Sequence, residues 1–161
     1  MSEQRTSVLS DAARLDRLEA FEAIRQCVFR YALAGDRGND GKITRTLFTE
    51  SASFEAAGFG SFQGRDAIVQ GLEAIARDTV KWAFHIPGGP LITVAGDVQT
   101  ATAFWWAWIP VTLRQDGKDV PVWGAGNYSA DLVRTEQGWQ FQRLLLEPKF
   151  QTPFTGPWTV L

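Results

Sequence analysis

The order of patterns along the 161-residue chain predicts an α+β fold, with N-terminal helices packed in a strongly curved antiparallel sheet. Apolar residues at three-and-four spacing are confined to the first half, and two-residue alternation takes over after Thr79. Helices first and hairpin-linked strands after them is the α+β order. Three of the late alternating stretches are long, which favours a sheet that curls around the helices.

Residues 1–9 read as a flexible arm, and 10–161 as one domain with no repeat or internal linker. Ser10 or Asp11 caps a first helix whose apolar stripe is Leu15, Leu18, Phe21, Ile24, Val28 and Tyr31. Ala34-Gly35 should end it, because glycine tolerates the left-handed turn. Turn-forming residues 36–41 lead to a short helix through Ile43, Leu47 and Phe48. Strands are expected at 51–55 and 60–63, then a third helix opened by Gly64-Arg65-Asp66. The remaining strands are expected at 80–86, 91–95, 99–113, 121–134 and 139–150. Polar hairpin loops at 115–118 and 135–138 join the last three. The tail from Thr152 to Trp158 reads as irregular and aromatic, fit to close a pocket or meet a partner subunit.

Composition excludes several classes of function. Sixteen basic against eighteen acidic residues give a net charge of -2, which offers no basic field to nucleic acid or acidic lipid. A single cysteine, Cys27, rules out an internal disulfide and a cysteine metal cluster, and its apolar setting suggests a buried thiol. No signal-peptide core follows the polar first residues, and no apolar run is long enough to span a bilayer. A soluble, cytoplasmic protein is expected. Gly124-Ala125-Gly126 precedes no helix and so is no dinucleotide loop. No metal site and no cofactor are expected.

The candidates for chemistry start with His85, the one histidine, since imidazole alone titrates near neutrality without perturbation. Trp82 and Phe84, just before it, should place aromatic surface beside the ring, and Pro87-Gly88-Gly89-Pro90 ends the strand. Asp36 falls just past the first helix, where the helix dipole disfavours a carboxylate unless a cation lies against it. An imidazolium at His85 would meet that need, and the pair would then work as a general base. A solvated turn aspartate and a packed core histidine satisfy the same residues. Tyr31 lies on the buried stripe of the same helix. Alternation puts Phe104, Trp106 and Trp108 on one strand face, either lining a cavity for a flat apolar substrate or forming core or a subunit contact. Arg143 reads as an oxyanion donor or a snorkelling residue, while Asn127, Tyr128 and Lys149 could bind substrate.

The order of these parts resembles a SnoaL-like domain of the nuclear transport factor 2-like superfamily. The resemblance rests on Tyr31…Asp36, the 47–52 segment, Gly64-Arg65-Asp66-Ala67-Ile68, the His85 strand and Gly138-Trp139-Gln140-Phe141. It implies a cone-shaped barrel around an apolar pocket, commonly in homodimers or homotrimers. It also implies an Asp–His pair aided by a tyrosine, as in cofactor-free dehydratases and dehydrochlorinases, with diarylpropane lyases similar in scaffold. The dehydrochlorinase has an arginine where this chain has Leu144, one place after Arg143. The reading is thus a cofactor-independent lyase acting on an apolar, aromatic substrate, such as a lignin-derived diaryl compound, by dehydration or retro-aldol deformylation. An isomerase or cyclase of polyketide- or steroid-like compounds, or a non-catalytic binding module for a hydrophobic ligand, are the alternatives.

Overall fold

The computed structural model describes residues 9–155, so the expected arm and the end of the tail lie outside the described residues. Helix α1 (Asp11–Asp36) begins where the Ser10 hydroxyl accepts the Ala13 amide at 3.2 Å. It buries Ala20, Ile24, Cys27, Val28, Tyr31, Ala32 and Ala34. The expected stripe turns away in the first turns, where Leu15 and Leu18 are 57% and 64% exposed. Arg17 takes the inward side there instead, because its guanidinium reaches the Val94 and Ala95 carbonyls at 2.9 and 3.3 Å. Helix α2 (Gly41–Leu47) is capped by Asp40, which accepts from the Lys42 and Ile43 amides. Phe48, expected at the end of that helix, opens strand β1 (Phe48–Ala56). Strand β2 (Gly60–Gln63) and helix α3 (Arg65–Asp78) follow.

The rest is sheet: β3 (Val80–Ala83), β4 (Ile86–Pro87), β5 (Leu91–Val94), β6 (Thr100–Gln115), β7 (Lys118–Thr135) and β8 (Gly138–Pro153). The strand order is β2-β1-β8-β7-β6-β3, with β4 and β5 also on β6. The sheet is mixed, whereas the sequence predicts an antiparallel one. The exception is β1, which lies parallel to β8. A return from β1 through β2, α3 and five further strands makes that direction possible, as no hairpin could. Asp116 and Gly117, at φ 49° and 73°, form the two-residue turn between β6 and β7 that matches strand twist. The expected strand 80–86 is broken after Ala83. His85 leaves the ladder there because its amide donates to the Asp36 carboxylate at 2.7 Å.

One core fills the curl of the sheet. Trp105, Phe48, Phe141, Ile24, Leu47, Ile68, Leu132 and Leu144 are each at most 1% exposed. Trp105 stacks on Tyr128 at 4.9 Å between centroids, and Tyr31 meets Tyr128, Phe48 and Phe141 edge-on. The Cys27 thiol is buried here, donates to the Trp139 carbonyl at 3.1 Å, and is pushed up to about 11 by burial. No helix of the described residues is long and apolar enough to cross a membrane.

Candidate active site

Between the end of α1 and the inner wall of the sheet lies a cavity of about 160 Å³, comparable to one aromatic ring. Its apolar lining includes Phe54, Phe59, Leu72, Ile109, Val111 and Leu146. Gly124 and Gly126 of β7 also line it, at points where the strands approach so closely that a Cβ would meet the Ile109 and Glu147 carbonyls at 3.0 and 2.7 Å. The exposed lining residues Lys81, Trp82, Phe150 and Gln151 mark the open side.

Four of the candidate catalytic and substrate-binding residues meet at this cavity: Tyr31, Asp36, His85 and Tyr128. Asp36 is the last residue of α1, one position inside the expected turn. Its Oδ1 accepts twice from His85, from the backbone amide at 2.7 Å and from ring Nδ1 at 2.8 Å. A carboxylate can only accept, so the ring donates from Nδ1; in the neutral ring Nε2 then keeps its lone pair. The side chains are 17% and 22% exposed, which shields the pair from bulk solvent without sealing it. Tyr31 and Tyr128 are buried with their hydroxyls interacting. Burial is the main reason both phenols are held above the ordinary tyrosine pKa, so they stay protonated donors.

The other candidates lie elsewhere. Phe104, Trp106 and Trp108 do not line the cavity; they stand on the outer face of β6, with Trp106 59% exposed. The inner face belongs to Ala101, Ala103, Trp105 and Ala107, because the bulky indole of Trp105 fills the core against Tyr128. Asn127 alternates with Tyr128 and so points outward, its amide donating to Glu147 at 2.7 Å. Arg143 is also outside, paired with Asp131 at 2.7 Å. Its place follows from a bulge at Gln142: Phe141 pairs with Leu132 and Arg143 with Asp131. Strict alternation, which groups Phe141 with Arg143, therefore fails, and Phe141 and Leu144 both point into the core. The same bulge leaves Lys149 on the outer face, beside Trp106 and Trp108, while Pro148 and Phe150, on either side of a second bulge at Lys149, line the cavity. Of the aromatics before the histidine, Trp82 lines the cavity and Phe84 does not.

Sequence reasoning missed Asn39, Lys81 and Gln151 as lining residues. Asn39 carries a visible signal, an asparagine in a glycine-rich turn, and it adopts φ 57° with its amide donating to the Leu72 carbonyl. Lys81 and Gln151 carry none. Lys81 is ion-paired with Asp119, so the cavity holds no unpaired cation among the described residues.

Trp106→Ala and Trp108→Ala are each expected to leave the affinity of a phenolic ligand for the cavity within about twofold, since neither side chain lines it and Trp108 reaches only its rim, through an edge-on contact with Phe150 at 5.6 Å. Titration calorimetry checks this; a tenfold loss in either variant would return the aromatic row to the binding site.

Helices held in a strongly curled mixed sheet, with a cavity between them, define the cone-shaped α+β fold of nuclear transport factor 2-like proteins. Within that class the chain belongs to the SnoaL-like family, whose domain matches residues 16–144. Curated protein sequences give no match. Among solved structures, a hexachlorocyclohexane dehydrochlorinase, LinA Type2, superposes with a TM-score of 0.82 at 15% identity, covering 92% of this chain and 97% of its own. The LinA-type3 enzyme from Novosphingobium barchaimii gives 0.81 at 16% identity, over 92% and 99%. A scytalone dehydratase-like protein from Novosphingobium aromaticivorans gives 0.72 at 20% identity, over 89% and 93%. At these identities the likeness is one of fold.

Proposed function

We propose that the protein is a cofactor-independent lyase that catalyses elimination on a neutral, ring-bearing substrate. The observation that carries this reading is the Asp36–His85 pair, set in the wall of an apolar cavity with ring Nδ1 held 2.8 Å from the Asp36 carboxylate. In the proposed step, Nε2 takes a proton from a substrate carbon next to the one bearing the leaving group. The C–H electrons become the new double bond, and the leaving group departs with its bonding pair. Asp36 steadies the imidazolium that results. Tyr128, hydrogen-bonded with Tyr31, donates to the oxygen on which charge develops. Arg143 has no part, because it lies on the far side of the sheet. Dehydrochlorination and dehydration, named for structures of the same fold, are both eliminations, which supports the reaction class.

The cavity also bears on the substrate. About 160 Å³ encloses one ring, so the rest of a larger molecule would rest between Trp82 and Phe150 at the open side. With Lys81 already paired, nothing inside would offset a carboxylate or phosphate. The test is to offer neutral oxygenated aromatics bearing a leaving group beside an acidic C–H, and to follow alkene formation by absorbance. Turnover should persist after exhaustive chelation and without nicotinamide or flavin. Loss on chelation, restored by one metal, would overturn the mechanism. Tight binding with no turnover across the series would favour the binding-module reading.

A further inference from the structure

The last turn of α1 contains a glycine with no local reason to be there. Gly35 lies inside the helix, its φ is not in the left-handed region, and the helix continues to Asp36. Glycine at such a position weakens a helix relative to alanine. What distinguishes it is its neighbour. A Cβ at residue 35 would come within 2.6 Å of His85 Cε1, 2.9 Å of Nδ1 and 3.2 Å of Nε2. The ring therefore lies directly against the bare Cα. It has no cheap way to move aside, because Asp36 holds it through both ring Nδ1 and the His85 amide.

We propose that Gly35 is a positioning residue for the imidazole. Its missing side chain leaves the space in which the ring keeps the Nδ1 bond to Asp36 while presenting Nε2 at the cavity. In this view the helix end supplies two adjacent parts of one device, a flat seat at residue 35 and an anchor at residue 36. The proposal deepens the elimination reading and rests on it for its functional meaning, but the seat itself can be tested without substrate.

His85 is the only histidine, so its ring signals in nitrogen-proton correlation spectra need no assignment. The wild type is expected to show one neutral tautomer with a protected Nδ1–H proton. In Gly35→Ala that proton should lose protection and the tautomers should mix, while the far-UV spectrum is kept. A cycle of melting temperatures adds a second measurement. Gly35→Ala should lower the melting temperature in the wild-type background. It should raise it in His85→Ala, where the ring is gone and only the helix preference remains. If Gly35→Ala alone does not fold, folding of the double variant gives the same answer, and failure of both overturns the proposal. An unchanged tautomer and Nδ1–H signal, or an equal temperature shift in both backgrounds, also overturns it. With a substrate in hand, Gly35→Ala should lower kcat at least tenfold with KM little changed. Absence of turnover in the wild type would count against the elimination reading and leave the seat measurements standing.

Discussion

Replacing His85 with alanine is expected to lower turnover by about 10³-fold or more, the upper range for loss of a positioned general base. The protein should stay folded. The imidazole is part of a cavity wall and not of the close-packed core, so its removal enlarges a space that is already open. Asp36 is not orphaned either, since the amide of residue 85 still donates to its Oδ1. The stability loss should therefore be about 1 kcal/mol or less, in keeping with one hydrogen bond of modest net value. For a chain of this length that amounts to roughly 2–4 °C in melting temperature. The check is kcat for elimination beside a thermal melt of the same preparation. A variant with wild-type rate would remove His85 from the mechanism, whatever its melt.

The second large effect is expected at Asp36, where two substitutions separate charge from geometry. The asparagine side chain in Asp36→Asn can still accept from both the His85 amide and Nδ1, so the local geometry should survive. The negative charge that steadies the imidazolium is gone, and turnover should fall by about 10²-fold or more with little change in melting. Asp36→Ala should be as slow and also less stable. It leaves the part-buried amide of His85 without its acceptor, at a cost of about 1–3 kcal/mol. Equal stability of the two variants would show that water replaces the carboxylate freely. Full activity in Asp36→Asn would mean that the carboxylate charge has no role in the chemistry.

Much of this site was legible in the sequence because its signals are local. A lone histidine before a Pro-Gly-Gly-Pro turn, and an aspartate at a helix end where the dipole opposes it, can be read from neighbours in the chain. Three things could not. Phe104, Trp105, Trp106 and Trp108 put aromatics on both faces of one strand, so alternation divides them into two sets without saying which faces inward. The stacking of Trp105 on Tyr128 decides it, and that contact is between strands. Arg143 and Lys149 were both misplaced by the bulge at Gln142, a single extra residue that reverses the faces beyond it. The start of α1 was misread because Arg17 binds backbone carbonyls of another element, which no pattern within the helix reveals.

The parallel pairing of β1 with β8 also bears on how the chain comes to be folded. Phe48 finds its register partner in Phe141, about ninety residues later, and the other neighbour of β1 is the short β2. As the chain leaves the ribosome, α1, α2 and β1 thus have their apolar faces made long before the strand that covers them. Contacts so distant in sequence close slowly, and the uncovered half is exposed to aggregation in the meantime. A chain stopped before β8 would keep Tyr31, Asp36 and His85 yet lack Pro148, Phe150 and Leu146, one side of the cavity they share. Folding is expected to complete only once β8 has been made, with the binding site arising in the final pairing step.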